Sequence, residues 1–299
     1  MTVHLFGAAT PTGASFQLQS AALPQPLALQ AYSRSAARMA SLDLCDPASF
    51  DPKSCKPGDV WVSFAPIWLF SHFLACVRQL QPGVLEGLAG IVCCSSSSVL
   101  TKRYASNRFD RDLVQRLRDA EDSLLIEAQA LGVRLQILRP TLIYGACGAF
   151  GDRNLSRLVG LMRSLPFIPL PNPSGLRQPI HVTQLASVAL KQAQAMLNSD
   201  VSSSFESCQS LGGDESLSYH DMLVHLQAAL PAADPARRCR LIAVPQRLFF
   251  AAACPVLLLS PKTFEALMRM GADLSPFTPA HELLGQPKRA FPVLPIALP

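Results

Sequence analysis

The chain opens on an apolar run, Val3-His4-Leu5-Phe6, that stops at Gly7, with Pro11 and then Gly13 following closely. An apolar run halted by glycine reads as a buried strand entering a tight turn. Pro11 suits the first position of a helix, where its missing N–H is not needed. The Ala- and Gln-rich stretch to Leu23 continues that helix until Pro24 and Pro26 stop it. Strand, glycine turn and helix at the very start confine the chain to an α/β plan.

The alternation continues. Leu27 to Ala31 reads as a second strand running toward Ser33-Arg34, and Ser41 to Leu44 as a short third. Val60 to Phe64, followed by Ala65-Pro66, is a fourth strand, Ile91 to Cys94 a fifth and Leu135 to Leu138 a sixth. Helical spacing fills Ile67 to Leu80 and Arg111 to Leu131. Strands alternating with helices predict a doubly wound parallel sheet of the Rossmann type. After Gly145 the pattern changes to loops rich in Pro and Gly, then a helix from Thr183 to Leu197. Residues 1–145 are therefore assigned to the core, with 176–200 returning to it. Residues 146–175 and 201–299 form a smaller, substrate-binding C-terminal lobe. The longest apolar stretch, Leu248 to Ser260, is interrupted by Pro255 and too short to span a bilayer. It reads as a buried helix, with docking on a membrane surface as the alternative.

The 299 residues are 49% hydrophobic, enough for a full core, and the net charge of +5 is spread along the chain rather than clustered. That pattern argues against a nucleic-acid partner and suits an anionic small molecule. None of the nine cysteines forms a CxxC pair, so neither zinc, another metal nor a dithiol motif is signalled. An odd, scattered set of thiols and the absence of a signal peptide point to the cytoplasm.

The spacing Gly7-x-x-Thr10-x-x-Gly13 after a first strand fits the backbone approach and helix N-terminus that a dinucleotide pyrophosphate requires. Pro11 and Thr12 belong to the same loop. Ser33-Arg34 ends the second strand, where an acidic residue would suit a free ribose hydroxyl and a Ser-Arg pair suits a 2′-phosphate. NADP is the expected cofactor, with NAD left open.

With these motifs the chain resembles the extended short-chain dehydrogenases/reductases, the NAD-dependent epimerase/dehydratase family, over nearly its whole length. The glycine loop resembles that family's GxxGxxG, with Thr10 in place of the middle glycine. The resemblance implies that Asp43-Leu44 meets the adenine, that Ala65, Pro66 and Pro140 contact the cofactor, and that Ser96 of Ser95-Ser96-Ser97-Ser98 bonds the reacting oxygen. Leu138-Arg139-Pro140-Thr141-Leu142-Ile143-Tyr144-Gly145 resembles the LRPxxxYG that faces the nicotinamide, which places Tyr144 and the following Asn154 toward substrate. Arg177-Gln178-Pro179-Ile180-His181-Val182 resembles RxxIHV of nucleotide-sugar epimerases, and by that likeness Arg177 meets the substrate diphosphate. The family's YxxxK dyad is missing: aligned on Ala120-Glu121, its positions hold Leu113 and Leu117. Tyr104 is the substitute acid/base candidate, from the loop beyond Ser96. The implied protein is an oxidoreductase or epimerase/dehydratase on a nucleotide sugar or another carbonyl or alcohol, a homodimer being open. The alternative is an inactive NADP-binding sensor or assembly protein.

Overall fold

The computed structural model describes residues 1–34, 39–198 and 207–296. The first half alternates as expected: β1 (Thr2–Phe6), α1 (Pro11–Ala21), β2 (Ala28–Ser33), β3 (Ala40–Ser41), β4 (Val60–Ser63), α2 (Ile67–Leu80) and β5 (Gly90–Cys94). A short α3 (Ser98–Thr101), the long α4 (Arg108–Leu131) and β6 (Arg134–Pro140) follow. Asn107 caps α4 by accepting the Asp110 N–H at 2.9 Å, and Gly132 closes it in the left-handed region at φ 66°.

Short strands then form pairs of their own. These are β7 (Ile143–Tyr144), β8 (Ala146–Cys147) and β9 (Phe150–Gly151), then α5 (Leu155–Ser164), β10 (Phe167–Asn172), β11 (Leu176–Arg177) and β12 (Ile180–His181). The chain continues through α6 (Val182–Leu197), β13 (Cys208–Gly212), β14 (Leu217–Ser218), α7 (Tyr219–Ala229), β15 (Arg240–Pro245), α8 (Gln246–Leu259) and α9 (Pro261–Arg269). It closes with β16 (Thr278–Pro279) and α10 (Ala280–Leu284).

The central sheet has eight strands in the order β16-β13-β6-β5-β4-β1-β2-β3, every neighbour parallel. The order reverses at β1, which pairs β2 on one side and β4 on the other. Strands buried on both faces need cover on both. α1 and α6 pack on one face around Phe16, Val62, Val92 and Leu185. α2 and α4 cover the other, where Phe6, Phe50, Trp61, Phe70 and Phe73 interlock, Phe6 and Trp61 at 4.9 Å between centroids. The sheet also takes β13 and β16 from the part assigned to the lobe, so residues 201–299 are shared between core and lobe.

A third core, built from α5, α7 and the pair β10·β15, gathers Leu155, Val159, Met162, Leu170, Leu223 and Leu226. Residues 291–296 run back across the strand end at β7. The Val293 N–H donates to the Tyr144 hydroxyl at 2.8 Å, and the Pro295 carbonyl accepts the Ala146 N–H at 3.1 Å. Pro295 also stands 3.0 Å from His181 Nε2.

Candidate functional site

The turn between β1 and α1 is held open by the size of hydrogen. Gly7 has φ +76°, and a Cβ there would lie 2.6 Å from the Ala65 backbone nitrogen. A Cβ on Gly13 would lie 2.4 Å from the Gly7 carbonyl oxygen. No side chain fits either place without moving backbone. Thr10, by contrast, is extended at φ −98°, so glycine is not required there. Its hydroxyl donates to the Gly7 carbonyl at 2.8 Å and accepts the Gly13 N–H at 3.0 Å. The hydroxyl proton thus ties the loop, while the oxygen caps α1.

Beside this turn, at the C-terminal ends of β1, β2 and β4, lies a cleft of about 420 Å³. Gly7, Thr10, Ser33, Arg34, Asp43, Leu44, Ala65 and Pro66 all line it, although they come from four separate stretches of sequence. Arg153 joins them from the loop before α5, the loop whose Asp152-Arg153-Asn154 resembles the family's substrate-facing residues. Pro11, Thr12 and Gly13 form the first turn of α1 behind the cleft, with Thr12 buried. Pro140 is buried at the end of β6, its carbonyl accepting the Ser97 N–H at 2.9 Å.

The serine loop after β5 is fastened from below. The Ser95 hydroxyl donates to Glu121 at 2.5 Å, and Arg139 holds the same carboxylate through Nε at 3.0 Å and a terminal nitrogen at 2.5 Å. Ser96 bonds Ser98 two residues on, its hydroxyl donating to Ser98 Oγ at 3.1 Å and accepting the Ser98 N–H at 3.2 Å. Leu117 is buried in the aromatic core and Leu113 packs against it, so the two dyad positions face α2 and the sheet. Tyr104 lies in the loop between α3 and α4. It is 85% exposed beneath the Arg103 guanidinium, and neighbouring Lys102 is paired with Asp110 at 2.8 Å.

A larger cavity of about 750 Å³ starts at Ser97 and Thr141 and runs between α5, α7, α8 and α9. The residues expected to meet substrate are only partly there. Tyr144 is buried with its hydroxyl engaged by Val293, and burial drives its pKa well above the ordinary phenol value. Asn154 is exposed and donates to the Ile143 carbonyl at 3.0 Å. Arg177 does line the cavity, but its guanidinium donates to the carbonyls of Leu176 and Ala272, both at 2.7 Å, and of Arg269. The Tyr219 ring lies 5.2 Å from that guanidinium. Burial raises the Tyr219 pKa, with Arg177 opposing, so the phenol is protonated at neutral pH. Tyr219 carried no sequence signal; only the folding of α7 beside β11 brings it to the cavity.

No family model matches the chain, and no curated protein matches it. Solved structures do. Gre2 from Candida albicans in complex with NADPH superposes with a TM-score of 0.63 at 13% identity, over 97% of this chain and 95% of that one. MoeE5 in complex with UDP-glucose and NAD gives 0.60 at 16% identity, over 97% and 94%. UDP-glucose 4-epimerase from Brucella ovis in complex with NAD gives 0.58 at 17% identity, over 91% and 97%. At such identities the likeness is one of fold: the chain has the Rossmann-type α/β architecture of these proteins over nearly its full length.

Proposed function

We propose that the chain binds NAD(P) with its pyrophosphate on the β1–α1 turn, and that it serves oxidoreductase or epimerase/dehydratase-type chemistry on a small carbonyl or alcohol compound. The observation that carries this is the cleft above Gly7, where distant residues meet at the reversal of strand order. The cradle suits the group: a Cβ on Gly7 or Gly13 would occupy backbone space, and a helix N-terminus stands beside it. NADP is favoured over NAD because Arg34, exposed at the end of β2, lines the cleft with Ser33. The cofactor would supply hydride transfer. The chain's part is to position: Asp43 and Leu44 at the adenine end, Ser96 and the β6 end at the nicotinamide end, Tyr144 and Asn154 supporting the substrate side.

The bound UDP-glucose of MoeE5 supports a nucleotide sugar as substrate, with Arg177 at its diphosphate. Against it, three N–H groups of that guanidinium are already given to carbonyls. The second reading is a protein that holds NADP without turnover, and the packing of Leu113 and Leu117 into the core favours it. Either reading suits a cytoplasmic protein. Fluorescence titration with NADPH and NADH tests the common part, and saturable binding is expected. Oxidation of NADPH with a panel of carbonyl compounds then separates the two readings. Failure to bind either dinucleotide overturns both.

A further inference from the structure

Helix α8 departs from the way the rest of the chain hides its apolar surface. Its sequence reads as a buried helix, with docking on a membrane surface as the alternative, and of its residues Phe249 and Ala253 alone are buried. From Leu248 to Leu259 it carries no charged side chain, and Leu248 is 62%, Leu258 89% and Leu259 86% exposed. A helix that is apolar all round belongs in a core or against lipid, and this one is in neither. Phe249, Ala253 and Val256, on one face by their spacing, wall the large cavity. Arg247, Ala251, Cys254 and Leu258, on the opposite face, are exposed. Beside the helix, Phe167 and Ile242 of the β10·β15 pair add two more exposed apolar side chains.

The charges along this stretch of chain have one sign. Between Pro235 and Phe264 the charged residues are Arg237, Arg238, Arg240, Arg247 and Lys262, all exposed, with no Asp or Glu among them. An apolar helix flanked by basic side chains is what an anionic bilayer surface holds, the apolar face at the acyl boundary and the cations at the headgroups. The same charges would repel a second copy presenting the same face. α8 is also too short to cross, since no helix among the described residues is long and apolar enough to span a membrane.

The cavity under α8 is of the same character. Leu158, Leu161, Met162, Ile168, Leu267 and Met270 line it, and several of its polar side chains are engaged elsewhere. Arg269 pairs with Asp110 at 2.9 Å, and Gln178 donates to the carbonyls of Gly213 and Phe277 at 2.8 and 3.1 Å. We propose that α8 seats the protein on an anionic lipid surface and that the cavity it walls takes a ligand with a long hydrocarbon chain. This goes beyond the dinucleotide cleft and does not depend on it.

Sedimentation of the full chain with vesicles of phosphatidylcholine, alone or mixed with phosphatidylglycerol, tests the docking. Binding to the mixed vesicles that weakens with salt is expected. Leu258→Glu with Leu259→Glu, both at solvent-facing positions, should weaken it by about tenfold or more while leaving the melting temperature unchanged. Binding to neither vesicle, equal binding to both, or self-association abolished by the same double variant would each overturn the docking. For the cavity, dodecanol should raise the melting temperature of the wild type and not of Ala253→Phe, whose added ring fills the space. A cooperative melt of Ala253→Phe shows that the variant is folded, and no dodecanol shift in the wild type overturns the cavity assignment. NADPH titration of the same samples reports the cleft separately.

Discussion

Glu121 of α4 and Arg139 of β6 form a two-pronged ion pair, 3.0 and 2.5 Å, beneath the serine loop that ends β5. The Glu121 side chain is 3% exposed and also accepts the Ser95 hydroxyl, so one carboxylate locks a helix, a strand and a loop. Glu121→Ala leaves the Arg139 guanidinium without its partner in a largely buried place. The unfolding free energy should fall by about 3 kcal/mol, as for other broken buried pairs. Urea denaturation measures this, and an unchanged midpoint would mean that solvent replaces the carboxylate at no cost.

Arg34 is the proposed reader of the ribose 2′-phosphate. Arg34→Ala should weaken NADPH binding by about 1–3 kcal/mol, the scale of a hydrogen bond to a charged group, and leave NADH nearly unchanged. Equal losses for the two cofactors would remove the case for NADP.

Arg177 ties β11 to the segment after α9 through three backbone carbonyls. Arg177→Ala should lower the melting temperature with no ligand present, from a loss of about 2 kcal/mol. Arg177→Lys should not restore it, because an ammonium cannot span the carbonyls that a planar guanidinium reaches. If Arg177→Ala melts normally and only the shift caused by added nucleotide sugars disappears, the residue serves a diphosphate instead.

Rebuilding the absent dyad should fail. Leu117 is 3% exposed among apolar neighbours, and a lysine there would bury an ammonium with no partner. Leu113→Tyr with Leu117→Lys should melt earlier and gain no NADPH-dependent turnover. A clear gain would show that α4 still presents this face to the reacting atoms.

Two buried histidines set the acid limit of stability. Burial lowers the pKa of His4, with the Asp59 carboxylate at 3.1 Å opposing. Burial lowers that of His181 too, with the Pro295 carbonyl opposing. Each therefore binds a proton less readily in the fold than in the unfolded chain, where it takes one up below about pH 6.5. Stability is therefore fully present above that pH and is lost as pH falls, by up to about 1.4 kcal/mol per pH unit for each histidine. Denaturation midpoints measured from about pH 8 down to about pH 5 should fall below neutrality, and His4→Gln should flatten the slope.

What could be read from the sequence was local. The β1–α1 turn follows from Gly7, Pro11 and Gly13, and α2 runs over the predicted Ile67 to Leu80, because these signals lie within one turn or one helical period. β13 and β16 were missed. They join the sheet through contacts to residues far away, and β16 spans two residues, too few for any periodicity. The exposure of α8 was carried only as the alternative to burial, because hydrophobicity states a tendency and nothing local says whether a partner surface is supplied. Tyr144 was assigned to the substrate side from its motif, while the segment that engages its hydroxyl lies 149 positions later.

That last separation governs when the molecule can be completed. Tyr144, Ala146 and His181 take their partners from residues 293–295, and Phe291 fills the third core beside Tyr144. Contacts of such high order are slow to form, since a long loop must close before they give anything back. During synthesis the strands from β1 to β6 emerge early enough to collapse with α1, α2 and α4. The end of β7 must wait until residues 291–296 have left the ribosome. A nascent chain stalled short of them would hold a formed cleft above Gly7 and an unfinished lobe, with the apolar interior of that lobe open to chaperones.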